Sequence, residues 1–217
     1  DYGIDFYAPQ TTKTPDGRRV MIGWMQNWDT CSVRMDDAKW YGQMSCPREL
    51  AIQDGKLIQK PVRELEQCYT KKTEYENVIV DKKLQLDDVC GRTVDLTIEL
   101  EAENEKELYH SFTISVAADD QFHSDIVFRP FEKTVELDRT CCGTRRAALN
   151  QKKCQVNTEN GKLKLRMVSD RYSTEVFLND GEQVLTMTYY TGLCADQITF
   201  EALGSAKMKL IKYELTK

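Results

Sequence analysis

The sequence predicts an all-β protein in two unequal parts. Three observations predict it: apolar and polar residues alternate along several short runs, glycine-containing turn pairs separate those runs, and almost no stretch repeats its apolar residues at a helical period. Val94, Leu96, Ile98 and Leu100 enclose Asp95, Thr97 and Glu99. A strand sends successive side chains to opposite faces, so such a run buries one face and solvates the other. Phe112, Ile114 and Val116 repeat the pattern, as do Ile198 and Phe200. Met208 and Leu210 follow it until the apolar register moves to Ile211 and Tyr213, which predicts a bulge in a terminal strand.

Asp16-Gly17, Asp54-Gly55, Asn160-Gly161 and Asp180-Gly181 each supply residues that enter positive φ cheaply, as tight hairpins require, and antiparallel pairing follows. A helical spacing occurs over Pro61 to Cys68, where proline at a first helical position precedes Val62, Leu65 and Cys68 on one face. This stretch reads as a connector. The segment before it carries all three tryptophans, Trp24, Trp28 and Trp40, and the segment after it is a plain succession of strands. We therefore place a first unit at residues 1–60, a linker at 61–72 and a two-sheet β-sandwich at 73–217.

Composition narrows the function classes. The chain has 217 residues, 30% of them charged, with a net charge of -5 and no long block of either sign. That balance argues against a nucleic-acid partner held through phosphates and favours a neutral or weakly charged substrate. No apolar run approaches the length needed to span a bilayer, so no membrane partner is expected. The chain opens on Asp1 within an already ordered pattern, which predicts that it starts inside a longer protein. Eight cysteines without a Cys-x-x-Cys pair, in a chain too large for a disulfide scaffold, read as reduced and mostly buried thiols. His110 and His123 stand too far apart for a helical ligand pair, so neither a metal nor another cofactor is expected.

The candidate binding residues lie near the start. Asp5 and Tyr7 fall on one side of an extended segment, with Phe6 on the other, so an acid and a phenol share a surface. Trp24 adds an aromatic plane of the kind on which the C–H face of a sugar stacks while carboxylates and hydroxyls take its hydroxyl groups. Taken alone, such aromatics in a strand protein are more often core than site.

Four segments carry a resemblance. Asp-Tyr-Gly-Ile-Asp-Phe-Tyr-Ala-Pro-Gln at 1–10, Gly-Arg-Arg-Val-Met-Ile-Gly-Trp-Met at 17–25, Cys-Pro-Arg-Glu-Leu at 46–50 and Asp-Gly-Lys-Leu-Ile-Gln-Lys-Pro-Val at 54–62 resemble the final propeller blade of glycoside hydrolase family 32. The run from Asp170 to Glu182 is similar to the signature strand pair of that family's C-terminal β-sandwich, whereas about 73–160 matches in strand pattern alone. The resemblance implies the last blade of a five-bladed β-propeller followed by a two-sheet β-sandwich. It also implies a parent enzyme that hydrolyses terminal β-fructofuranosyl bonds with retention, through an aspartate nucleophile, a glutamic acid/base and a stabilising aspartate.

The family's three catalytic motifs, Trp-Met-Asn-Asp-Pro-Asn-Gly, Arg-Asp-Pro and Glu-Cys, do not occur in this sequence; Asn179-Asp180-Gly181 echoes the first in letters but reads as a hairpin turn. No catalytic residue is therefore assigned, and the chain is expected to be inactive by itself. By resemblance, Asp5, Tyr7 and Trp24 line the fructose pocket of the complete enzyme as binding residues for a fructose-containing saccharide.

Other candidates have simpler readings. Arg48 and Glu49 read as an ion pair closing the blade rather than as substrate contacts. The acid pairs Asp36-Asp37, Asp87-Asp88 and Asp119-Asp120 read as loops, and Arg145, Arg146 and the nearby Arg139 as a solvated surface. Two further hypotheses stand beside the glycosidase: a non-catalytic sandwich module that binds carbohydrate or a protein, which leaves the blade motifs unexplained, and a fructosyltransferase, which shares the covalent intermediate. A lone blade should expose apolar residues around Phe6, Val20, Ile22 and Trp24 unless the sandwich or a second copy covers them, so self-association is expected, with the sandwich bracing the propeller. Cysteine usage suggests a cytoplasmic location.

Overall fold

The computed structural model describes residues 1–34, 38–104, 106–144 and 149–216. Its first sheet is β1 (Tyr7–Lys13), β2 (Arg19–Trp24), β3 (Arg48–Gln53) and β4 (Lys56–Pro61), paired antiparallel in chain order as an up-and-down propeller blade. Asp54 and Gly55 alone join β3 to β4, at φ 49° and 76°, the backbone signs that match hairpin twist to strand twist. Pro61 is the last residue of β4, opposite Arg48, and opens no helix. A 3-10 turn over Arg63–Cys68 follows, too short to build a helical face.

The rest of the chain is β5 (Tyr69–Val80), β6 (Val94–Ala102), β7 (Ser111–Ala118), β8 (Ser124–Arg129), β9 (Thr134–Asp138), β10 (Gln151–Gln155), β11 (Leu163–Asp170), β12 (Ser173–Leu178), β13 (Gln183–Thr188), β14 (Gln197–Leu203) and β15 (Ala206–Leu215). They form a five-stranded sheet, order β10-β9-β8-β7-β14, and a six-stranded sheet, order β13-β12-β11-β6-β15-β5. The inward residues of both, among them Leu96, Ile98, Phe112, Ile114, Met167, Val176 and Phe200, make one apolar core. The fold is thus all-β, a blade followed by a two-sheet sandwich.

Two sequence expectations are corrected. Asn160 and Gly161 do take positive φ, 51° and 70°, but their turn closes no hairpin: it carries the chain from β10 in one sheet to β11 in the other. Turn chemistry specifies a reversal, not whether the flanking strands pair. In β15, burial alternates unbroken through Lys212, and the irregularities lie on the β5 side, between Met208 and Leu210 and between Tyr213 and Leu215. The inward position expected of Ile211 or Tyr213 belongs to Lys212, whose ammonium donates to Asp88 O at 2.6 Å and so meets an acceptor at the sheet rim.

The blade rests on the outer face of the six-stranded sheet. All six residues of β12 are buried, because Val176 and Leu178 enter the core while Glu175 and Phe177 lie under the blade. Val168, Phe177 and Val184 pack with Cys46, Leu65 and Leu215 across this junction. The side of the blade away from it is open: every residue of β1 is exposed, as is Ile22, while Phe6, Val20 and Trp24 are half-buried. Of the residues expected to be bare, Phe6 is partly roofed by the Arg48 guanidinium, 4.5 Å from its ring centre.

All eight cysteines are free, but only Cys142 and Cys154 are buried; Cys31, Cys46 and Cys68 are half-buried and Cys90, Cys141 and Cys194 exposed, which corrects the expectation of mostly buried thiols. Burial pushes the Cys46 and Cys142 thiols up and that of Cys154 to about 11. Asp87, Asp88, Asp119 and Asp120 lie outside strands, as expected; Asp36, Asp37, Arg145 and Arg146 fall outside the described residues.

Candidate functional site

Strand pairing places Tyr7 of β1 directly opposite Trp24 of β2, so the two side chains share a face. Their rings meet edge to face, 6.2 Å apart at 67°. Trp24 in turn meets Trp28 edge to face at 5.8 Å and 65°. The result is a continuous aromatic surface in which Tyr7 is 54% and Trp28 76% exposed. Two glycines shape it. A Cβ on Gly23 would fall 2.5 Å from Phe6 Cζ, so only glycine lets Phe6 lie beneath β2; Gly42, at φ 78°, brings backbone close to the Trp24 indole nitrogen.

Asp5 is not on the strand face that carries Tyr7, but it is tied to the end of the aromatic surface through Asn27, the residue before Trp28. It precedes β1 at a bend and is 7% exposed, so Asp5 and Tyr7 do not share the face of one strand. Asn27 Nδ2 donates to Asp5 Oδ1 at 2.8 Å, and Arg139 Nη1 donates to Asp5 Oδ2 at 3.1 Å. Thr186 Oγ1 donates to its backbone carbonyl at 3.0 Å. Arg139 is fully buried and also donates to Ile4 O, Thr188 Oγ1 and Leu149 O. The expectation that it sits on a solvated surface is corrected: it crosses from the sandwich into the segment that precedes the blade. Charge and turn proximity alone could not reveal that, because the partners lie far away in sequence.

Arg48 and Glu49 do not pair with each other. Consecutive strand residues face opposite ways, and each finds its own partners. Arg48 is fully buried; its Nε and Nη2 donate to Glu175 Oε2 at 2.8 and 2.5 Å, and its Nη1 donates to Asp1 Oδ2 at 2.7 Å. Glu49 accepts from Arg63 Nε and Nη2 at 3.0 and 2.9 Å and from Arg18 Nη1 at 2.7 Å, and these guanidinium groups, Arg63 first, hold its carboxyl down at about 2. Arg48 is thus structural, as expected, but it joins the blade to the sandwich instead of closing the blade.

Among the described residues the buried carboxylates Asp5, Asp95 and Glu175 each face an arginine: Arg139, Arg166 and Arg48. No group of three or more His, Cys, Asp or Glu gathers as a metal site among the described residues. What the site offers chemically is an aromatic wall beside a firmly held carboxylate, an arrangement suited to binding a polyol. Sequence reasoning missed Trp28 and Asn27 as neighbours of the candidates. Their closeness to Trp24 in the chain was a usable signal.

Comparison with known proteins fixes the class. Glycosyl hydrolases family 32 C terminal matches residues 64–216, and the family 32 N-terminal domain matches residues 1–61. The chain belongs to glycosyl hydrolase family 32. It is similar to the sucrose-6-phosphate hydrolase of Staphylococcus xylosus, 30% identical over 99% of this chain and 43% of that relative. It is also similar to a raffinose invertase of Escherichia coli, 32% identical over 93% of this chain and 40% of that relative. Among solved structures, fructan 1-exohydrolase IIa from Cichorium intybus in complex with 1-kestose superposes with a TM-score of 0.84 at 20% identity, over all of this chain and 49% of the other. The chain therefore spans less than half the length of these relatives. No helix among the described residues is long and apolar enough to cross a membrane.

Proposed function

We propose that this chain is the C-terminal part, blade at 1–60 and sandwich at 73–217, of a retaining β-fructofuranosidase acting on sucrose, sucrose 6-phosphate or a fructan. The observation that carries the reading is the exposed Tyr7–Trp24–Trp28 surface on a blade whose sequence the family matches. Tyr7 and Trp24 line the fructose pocket by stacking, and Asp5, held by Asn27 and Arg139, keeps lone pairs for a sugar hydroxyl at its floor. The acid/base and nucleophile belong to sequence absent here, because the three family motifs that carry them do not occur. The chain alone is inactive, and its free thiols suit a reducing, cytoplasmic setting.

The test is hexose release from sucrose and sucrose 6-phosphate by the purified chain, beside the same chain extended at its N-terminus by the other family blades. Silence from the first and turnover by the second is the expected result. Turnover by the chain alone would overturn the reading, since the reacting carboxylates would then lie among residues assigned other roles. Transfer of fructose to a second sugar by the extended chain would move the parent to the transferases.

A further inference from the structure

A closed circuit of hydrogen-bonded side chains runs from the aromatic surface into the sandwich and back. Asn27 Nδ2 donates to Asp5 Oδ1 at 2.8 Å, and the Thr30 hydroxyl donates to Asn27 Oδ1 at 3.3 Å. The Tyr190 hydroxyl is bonded to the Thr30 hydroxyl and, at 3.5 Å, to that of Thr188. Arg139 Nη1 donates to Thr188 Oγ1 at 2.5 Å and to Asp5 Oδ2 at 3.1 Å, which closes the circuit. Asp5, Asn27 and Thr30 belong to the first unit, and Arg139, Thr188 and Tyr190 to the sandwich; Asp5, Thr30 and all three sandwich residues are buried.

The protons run round it in one sense. Thr30 gives its proton to Asn27, so Tyr190 donates to Thr30 and Thr188 donates to Tyr190, which leaves a Thr188 lone pair for Arg139. A guanidinium is thus joined to the Asp5 carboxylate twice, once directly and once through a relay of aligned donors, and buried bonds aligned in this way strengthen one another.

The two ends of the circuit differ in rigidity. Arg139 follows β9 of the five-stranded sheet and is clamped by Leu149 O, while Thr188 ends β13 of the six-stranded sheet, so both sheets hold the sandwich end. The blade end is a turn outside the strands. Asn27 Oδ1 also accepts from Asp29 N at 2.8 Å and Thr30 N at 3.1 Å, and Trp28 stands within that turn against Trp24. A turn shaped by one asparagine side chain presents its tryptophan only as firmly as that side chain is held.

We propose that Arg139, Thr188 and Tyr190 are positioning residues for the sugar site of the blade: the sandwich orients the Asp5 carboxylate directly and the Trp28 turn through Asn27. This rests on the fructoside reading of that surface. It adds that the sandwich sets the geometry of binding as well as bracing the propeller.

The test has two arms. In nuclear magnetic resonance spectra of the isotope-labelled chain, Tyr190→Phe and Arg139→Lys should move the Asn27 side-chain amide and the Trp28 indole signals and leave the core amides of Ile114 and Phe128 in place. In the chain extended by the other family blades, Tyr190→Phe, which removes one hydroxyl and keeps the ring, should raise KM by about fivefold for sucrose or sucrose 6-phosphate, whichever is hydrolysed. Arg139→Met should raise it by about tenfold or more, and Arg139→Lys, which keeps the cation, should recover part of that loss. A purely structural role would shrink the folded fraction and lower kcat with KM unchanged. The proposal is overturned if the Asn27 and Trp28 signals stay in place in both variants, or if the substitutions lower kcat alone. Should the extended parent chain release no hexose, the fructoside reading falls separately, and the spectra decide whether the sandwich holds this surface.

Discussion

Arg48 and Glu175, 127 residues apart, form a buried ion pair through two hydrogen bonds to one carboxylate oxygen, while Glu175 Oε1 accepts from Cys46 N at 2.6 Å. One side chain is on β3 of the blade and the other on β12 of the sandwich, so the pair joins the two units. Two charges removed from water this completely leave a large penalty on whichever partner is left alone. Arg48→Met and Glu175→Leu should each destabilise the chain by about 3–5 kcal/mol, and the double variant should recover part of that loss. Urea unfolding of the three variants checks this. Single variants within about 1 kcal/mol of the parent chain would mean that water or Asp1 compensates for the lost partner.

Glu49, bonded to Arg18 in the blade and Arg63 in the connector, gives the stability of the chain a pH dependence. Its carboxyl is held at about 2 by Arg63 and Arg18, against about 4.3 for a free glutamate. The folded value is the lower one, so its stabilising contribution is complete above the unfolded value and is lost as pH falls towards 2. Glu49→Gln should flatten the acid limb of stability against pH between those limits, and added salt should do so less strongly, because the pairs are partly exposed. Urea midpoints of both proteins across that range make the comparison, and parallel acid limbs would contradict it.

The strands were legible because their burial is local: Leu96 to Leu100 alternates in sequence as it does in the sandwich, although Asp95, read as solvated, is buried against Arg166. The blade was legible through Asp54-Gly55, whose turn needs no distant partner. What escaped was long-range pairing. Arg139 looked like one of several arginines near a turn, yet its partners Asp5 and Thr188 lie 134 and 49 residues away. Lys212 reads as a polar residue that should face water, but a carbonyl at Asp88 lets it take an inward place. Asp5 and Tyr7 were assigned to one face because spacing assumes an extended strand, and β1 starts only at Tyr7.

Gly23 supports the aromatic wall from behind. Its missing side chain is where the Phe6 ring sits, and Phe6 is in turn covered by Arg48. Gly23→Ala should therefore push Phe6 away from β2 and cost about 1–3 kcal/mol through overpacking. Because Trp24 is the next residue, its fluorescence should shift with the lost stability. Unchanged stability and emission would show that Phe6 can move aside freely.

The open side of the blade predicts self-association. β1, which begins with Tyr7, is an edge strand with every residue exposed, and beside it stand Ile22, 37% exposed, and Trp28. An unpaired edge next to an apolar face can recruit a second copy both by strand pairing and by burial. Sedimentation velocity should show a mass that rises with concentration, and Ile22→Lys should lower it by placing a charge on the face without touching the core side of β2. A chain that stays monomeric at the highest concentration reached, with no binding of an apolar dye, would show that the half-buried positions of Val20 and Trp24 already close the face well enough.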